Sequence, residues 1–190
     1  CFKDGEKISC ETKLFELRPN MPLKTVNITD ATQISEAAFN NCKYITNITL
    51  NDGIKSVGAY AFANVPWYTD LVADYVIAGD GVLIKYNGTA GSVTFPENVK
   101  YIAGTVFQNN KTISEVNIHK NIVGIGREAF AGCTNLTELT IPQSVASIGE
   151  DAIPTSCKLN VYLPSAGYDY RETNRVILNN SYTTGNDTFY

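Results

Sequence analysis

Two acidic side chains, Glu115 in EVNI and Glu138 in ELTI, hold the same place in two near-copies of one short phrase, 23 residues apart. If those copies stack as neighbouring strands, the carboxyl groups stand about 5 Å apart, the separation used in retaining glycoside hydrolysis. Like-charge proximity would then raise one of the two pKa values. Such chemistry also needs an enclosing pocket, and nothing in the pattern supplies one. The other reactive groups are scattered. His119, the only histidine, follows a strand-like stretch and is expected at the surface, Ser114 falls in a solvent turn and Cys133 in a core slot. No nucleophile–base–orienter arrangement connects them. The five cysteines (Cys1, Cys10, Cys42, Cys133, Cys157) show no CxxC and have one histidine to draw on, so a Cys/His zinc site lacks ligands. Phosphate-loop and dinucleotide signatures are missing too; AGDG at 78–81 is a turn signal. The reading is no catalytic residue, no cofactor and no metal, with a glycan-acting Glu115/Glu138 site as an alternative.

The elements that would position such residues follow from composition and period. Apolar residues make up 44% of the 190 and charged residues 18%, a globular rather than disordered balance. A formal charge of −4 argues against nucleic acid or an anionic membrane surface as partner. No apolar run approaches the roughly 18 residues a membrane-spanning helix needs. The chain opens on Cys1 rather than Met, which reads as a processed protein or an excised fragment.

A frame recurs along the chain. Ile125, Phe130, Cys133, Leu136, Leu139, Ile141 and Val145 have counterparts at Ile34, Phe39, Cys42, Ile45, Ile48, Leu50 and Ile54, and again at Ile102, Phe107, Asn110, Ile113, Val116, Ile118 and Ile122. Val57, Phe62 and Val65 begin another copy; Ile148, Ile153, Val161, Leu163 and Pro164 end the series. The interval between Phe39, Phe62, Phe107, Phe130 and Ile153 is 23, 45, 23 and 23, so one coil carries extra residues. Phrases such as ELTI and NITL alternate like half-buried strands. IGREAF has near-helical spacing over too few residues for an independent helix. No copy can bury its own apolar stripe, so copies must stack into a solenoid. Cys42 and Cys133 share a small core slot, and the phenylalanines should form an internal column.

The stretch IGREAFAGCTNLTELTIPQSVASIG resembles the BspA-like leucine-rich repeat, found in surface and secreted proteins of host-associated bacteria and some protozoa. The resemblance implies a right-handed leucine-rich-repeat solenoid: ~23-residue coils, one parallel β-sheet, short helical or 3-10 turns on the other side, and one inserted β-hairpin. Residues 1–22 would be a strand-like cap or partial repeat and 23–164 the repeats, with the hairpin at about 66–92 (DYVIAGDGVLIKYNG). Residues 165–190 would be a polar cap. Val65, Asn110 and Ser156 depart from the pattern, standing where cysteine is common.

With Val26, Ile48, Val93, Val116, Leu139 and Val161 turned inward, the outward ladder reads Asn27, Thr49, Thr94, Asn117, Thr140 and Tyr162. It is flanked by Thr25, Asn47, Ser92, Glu115, Glu138 and Asn160. This face and the hairpin aromatics Trp67, Tyr68, Tyr75 and Tyr86 are the candidate contacts for a protein or glycan partner, because buried aromatics dominate interface energy. The resemblance points to an extracellular or cell-surface recognition and adhesion module binding host protein, matrix or glycan. A structural spacer displaying other domains is the alternative. Asn-X-Ser/Thr sequons stand at Asn27, Asn47, Asn87, Asn110, Asn135, Asn179 and Asn186 and mark glycosylation only in a eukaryote. Cys1 and Cys10 bracket a turn signal and pair if the protein is exported.

Overall fold

A computed structural model describes residues 23–161, together with the backbone at Phe2–Lys3, Glu6–Lys7 and Thr188–Phe189. In chain order β1 (Phe2–Lys3) and β2 (Glu6–Lys7) form an antiparallel pair. Next come β3 (Thr25–Asn27), β4 (Gln33–Ile34), β5 (Asn47–Thr49), β6 (Ser56–Val57) and the short helix α1 (Pro66–Thr69). They are followed by β7 (Tyr75–Ala78), β8 (Val82–Tyr86), β9 (Ser92–Thr94), β10 (Tyr101–Ile102) and β11 (Glu115–Asn117). The series closes with β12 (Gly124–Ile125), β13 (Glu138–Ile141), β14 (Ser147–Ile148), β15 (Lys158–Val161) and β16 (Thr188–Phe189).

Two interrupted series of parallel strands follow this solenoid. Alternating phrases such as TVN, NIT and EVN supply the first: β3 pairs with β5 (Val26 opposite Ile48) and β9 with β11 (Val93 opposite Val116). β11 lies against β13, which pairs with β15, and β15 pairs with β16. The second ladder is built from the Ile/Val that opens each frame: Ile34 opposite Val57, and Leu83, Ile102, Ile125 and Ile148 in register. The expected single sheet is therefore segmented, its main break lying between β5 and β9.

The last rung corrects the sequence alignment. Leu139 stands opposite Leu159 and Thr140 opposite Asn160, so Asn160 and not Tyr162 continues the middle ladder, with Lys158 opposite Glu138. The coil after Ile153 is short, and the strand arrives early. Tyr162, Leu163 and Pro164 lie outside the described residues, as do Cys1 and Cys10, Asn179 and Asn186, and most of the two caps.

The turns opposite the strands are not helical, although their spacing suggested it. Ala37, Tyr60, Thr105, Glu128 and Asp151 have φ between 52° and 61°, each two residues before the frame's Phe or Ile. Asn41, Asn64, Asn109 and Gly132 form a second left-handed position per coil. These reversals turn backbone amides towards the next coil: Phe39 N–H bonds Ala61 O at 2.8 Å, Phe107 N–H bonds Ala129 O at 2.8 Å, and Phe130 N–H bonds Ala152 O at 2.7 Å. Inter-coil bonding thus replaces the intra-helical kind. Packing is close enough that a Cβ on Gly126 would stand 2.4 Å from the Gly104 amide nitrogen.

The aromatic column is present in two pieces. Phe39 stacks on Phe62 (5.6 Å) and Phe107 on Phe130 (4.9 Å, rings 4° apart), but Tyr68 caps the first stack and Tyr86 the second. The antiparallel β7–β8 pair separates them. Its one face, with Val76, Ala78, Val82 and Ile84, joins the core around Ile34, Ile48 and Phe62. Its other face, with Tyr75, Ile77, Leu83 and Tyr86, joins the core around Val93, Phe107 and Phe130. A strand covered on both faces reads as an apolar run, which explains the fully buried Val82-Leu83-Ile84. The turn Gly79–Gly81 sits between coils: Asp80 N–H bonds Ile54 O (2.7 Å) and Gly81 O accepts from Lys100 (2.8 Å). On the opposite side the stack stays continuous, since Gly104 N–H bonds Val57 O at 3.1 Å. β7–β8 is a wedge driven in from the strand side, not a projection.

Candidate functional site

The outward ladder is as expected through its described rungs. Asn27, Thr49, Thr94, Asn117 and Thr140 are exposed while Ile48, Val93, Val116 and Leu139 beneath them are buried. Thr25, Asn47, Ser92, Glu115 and Glu138 are exposed along one flank. The array is rigid, short-chained and polar.

The two glutamates are held apart chemically. Asn160 Nδ2 donates to Glu138 Oε1 at 2.6 Å and Lys158 Nζ lies 3.6 Å from the same oxygen. The Asn160 hydrogen bond, then the Lys158 charge, hold the Glu138 carboxyl below its ordinary value. A glycosidase acid requires the reverse, a raised pKa. Glu115 instead accepts a long bond from Asn117 Nδ2 at 3.4 Å. Nor does a triad assemble. Asn121 N–H donates to His119 Nδ1 (3.2 Å), so Nε2 carries the proton and donates to Pro96 O (3.1 Å). His119 is half-buried, not surface-exposed as expected, and tethers one coil to the preceding one. Ser114 Oγ donates to Gly91 O (3.3 Å). Burial pushes the Cys133 thiol up to about 11, and its Sγ donates to Phe107 O at 3.0 Å. Cys42 is a buried free thiol whose pKa burial raises, and Cys157 is buried as well. Among the described residues no His/Cys/Asp/Glu cluster has a metal-binding arrangement.

The four aromatics around the wedge are half-buried and pack inward. Trp67 meets Phe62 edge-on at 5.1 Å. Tyr68 donates its hydroxyl to Ile84 O at 2.8 Å, and burial pushes its pKa up to about 12. Tyr75 and Tyr86 contact one another at 5.1 Å. Desolvation first, then the neighbouring Tyr86, raise the Tyr75 pKa. What surface they offer lies beside the sheet break rather than on a protruding tip.

With coils, ladders and core in view, the comparison with known families is decisive: the BspA type leucine rich repeat region matches in six copies, over residues 11–73 and 86–188. The chain belongs to this family. Among solved structures it is similar to a leucine rich cell surface protein from Faecalibacterium prausnitzii (18% identity, TM-score 0.41, covering 75% of this chain and 54% of that one). It is also similar to leucine-rich repeat proteins from Eubacterium ventriosum (22%, TM-score 0.39, 74% and 43%) and Bacteroides ovatus (20%, TM-score 0.34, 75% and 43%). The chain spans about half the length of these proteins or less. No curated relative matches the chain. No helix among the described residues is long and apolar enough to cross a membrane.

Two features of this BspA-type protein were missed in the sequence. The first is a network on the turn side. Arg127 Nη1 bonds both oxygens of Glu36 (3.0 and 3.1 Å), while Tyr60 Oη and Gln108 Nε2 each donate to Glu128 Oε2 at 2.6 Å. The charged residues after Ile34-Ser35, Ile125-Gly126 and Ile148-Gly149 were its visible signal. The second is the anchoring of the chain before the wedge. Lys85 Nζ donates to the carbonyls of Tyr68 (2.8 Å), Thr69 (3.0 Å) and Leu71 (2.7 Å), and Asn87 Nδ2 to those of Leu71 (3.0 Å) and Ala73 (2.8 Å). That bonding occupies the Asn87 amide, and a bond to Lys111 O (2.5 Å) occupies that of Asn135, whereas sequon residues Asn27 and Asn47 are exposed. Asn110 turns its oxygen to the amides of Thr112 (2.9 Å) and Ile113 (3.3 Å), which fills its departure from the Cys pattern with a turn cap.

Proposed function

We propose that the chain is a non-enzymatic recognition module working outside the cell or at its surface. It engages a host protein, matrix component or glycan through the polar face of β9, β11, β13 and β15. The observation that supports this best is the run Thr94, Asn117 and Thr140, exposed on strands whose alternate residues are buried in one core. A rigid, two-dimensional array of short donors and acceptors loses little side-chain entropy on contact. The flanking charges Glu115, Glu138 and Lys158 add direction. The purified chain, tested against immobilised matrix proteins and a glycan array, should bind at least one of them. An Asn117→Arg/Thr140→Arg double variant, with outward positions that tolerate bulk, should bind at least about tenfold more weakly. Equal binding by a folded variant would remove the sheet face from consideration. Retention by no surface at all would favour a spacer that displays other domains.

A further inference from the structure

The first ladder is short of a rung next to the wedge. β5 pairs with β3 on one side and with no described strand on the other. Asn47 N–H bonds Lys24 O (3.1 Å) and Thr49 O accepts from Ile28 (2.9 Å), so both residues turn back to β3. Strand alternation then directs the N–H and C=O of Ile48 the other way, where no described residue bonds them. A groove of about 670 Å³ lies beside the open edge. Leu50, Trp67 and Leu71 line one wall, Val76 and Ala78 the other, and Asp52, Asp80 and Lys100 lie at the polar margin. Lys100 pairs with Asp80, while Asp52 makes no ion pair with a described residue.

We propose that this groove takes an extended segment of a partner polypeptide, added to β5 as a parallel strand. The site is separate from the polar sheet face and does not depend on that reading. Unbonded strand edges select a peptide backbone, since adding a strand satisfies the edge donors and acceptors in order. The apolar walls select alternate aliphatic side chains on that strand. Because β5 runs towards Asp52, a parallel occupant brings its C-terminal end there, and a basic residue at that end is matched by charge. A glycan offers neither the repeating amides nor the aliphatic teeth.

The test uses the chain and an acetylated, amidated peptide NLTELTIK, the repeat's own strand Asn135–Ile141 with a lysine added. In the repeat, outward residues turn their amides to the preceding strand. N-methylation of the Thr equivalent to Thr140 should therefore weaken binding at least about tenfold, and N-methylation of the Leu equivalent to Leu139 by less than about twofold. Exchanging the terminal Lys for Glu should weaken binding, more so at low salt. Ala78→Phe, which fills the groove, should abolish it. Should that variant not fold, the two methylated peptides still decide on the unaltered chain. No binding by the parent peptide, or equal loss from both methylations, overturns the proposal. So does a dimer in sedimentation that Ala78→Phe abolishes, since the occupant is then a second copy.

Discussion

Replacing Tyr68 by Phe should make the stability curves of variant and parent cross in alkaline solution. The Tyr68 ring stacks on Phe62 at 5.9 Å, its hydroxyl donates to Ile84 O at 2.8 Å, and burial pushes its pKa from 10.0 up to about 12. The folded chain holds this proton more tightly than the unfolded chain does. The resulting stability is fully present below pH 10 and is lost as pH rises through about 12. Two units correspond to about 3 kcal/mol. Near neutrality the variant should be weaker by about 1–2 kcal/mol, having lost one hydrogen bond and left the Ile84 carbonyl unpaired. Towards pH 12 the parent surrenders more than that, so the difference closes and reverses. Lys85, whose ammonium stands 5.2 Å from the Tyr68 ring centroid, has its pKa lowered by burial in both proteins, so its discharge largely cancels in the difference. Urea unfolding followed by circular dichroism across the alkaline range gives the two curves, and tyrosinate absorbance follows the titration. Curves that stay parallel, or a gap that widens with pH, would refute the reasoning.

Lys85→Met keeps the aliphatic stem but strands the carbonyl of Thr69 and takes one of two donors from those of Tyr68 and Leu71; a loss of about 1–3 kcal/mol, about 3–9 °C in a thermal melt, is expected. Gly126→Ala places a methyl against the Gly104 amide and should cost about 1–3 kcal/mol in urea unfolding, although alanine is the better residue for an ordinary backbone. Phe130→Ala should cost about 3–5 kcal/mol. Hydrogen exchange should then loosen first between residues 101 and 153, with 34–65 less affected, because the wedge divides the core.

Period was the most legible property of this chain. Rungs at Val93, Val116 and Leu139 fall on the 23-residue spacing because every coil there has the same length. Once the final coil lost residues, parity still placed Leu159 and Val161 inward, but the partner slipped from Tyr162 to Asn160. The AGDG signal marked a turn truthfully without showing where the strands around it would go. Val82-Leu83-Ile84 contained that information, since an unbroken apolar run announces cover on both faces. The left-handed turns were hidden for a different reason. Tyr60, Thr105 and Glu128 have no local preference for positive φ, and stacking between coils imposes it. Individual contacts of the sheet face were legible as surface, while the groove was not. It arises from a rung that is missing, and absence leaves no residue to read.

The wedge also makes the molecule mechanically uneven. On the turn side the two blocks are clasped by the Gly104–Val57 backbone bond, by Arg127 reaching Glu36 and by Tyr60 reaching Glu128. On the strand side they meet through β7–β8: β8 is laddered to β10, but the preceding coils hold the wedge by apolar contact and scattered bonds (Asp80 to Ile54, Tyr68 to Ile84, Lys85 to the carbonyls before it), with no ladder between them. Force along the stacking axis therefore meets a clasp and a slip plane at the same level. The chain should yield there first, swinging about the turn side and widening the strand side. A load carried through the array would register as a change in the width of the groove beside β5.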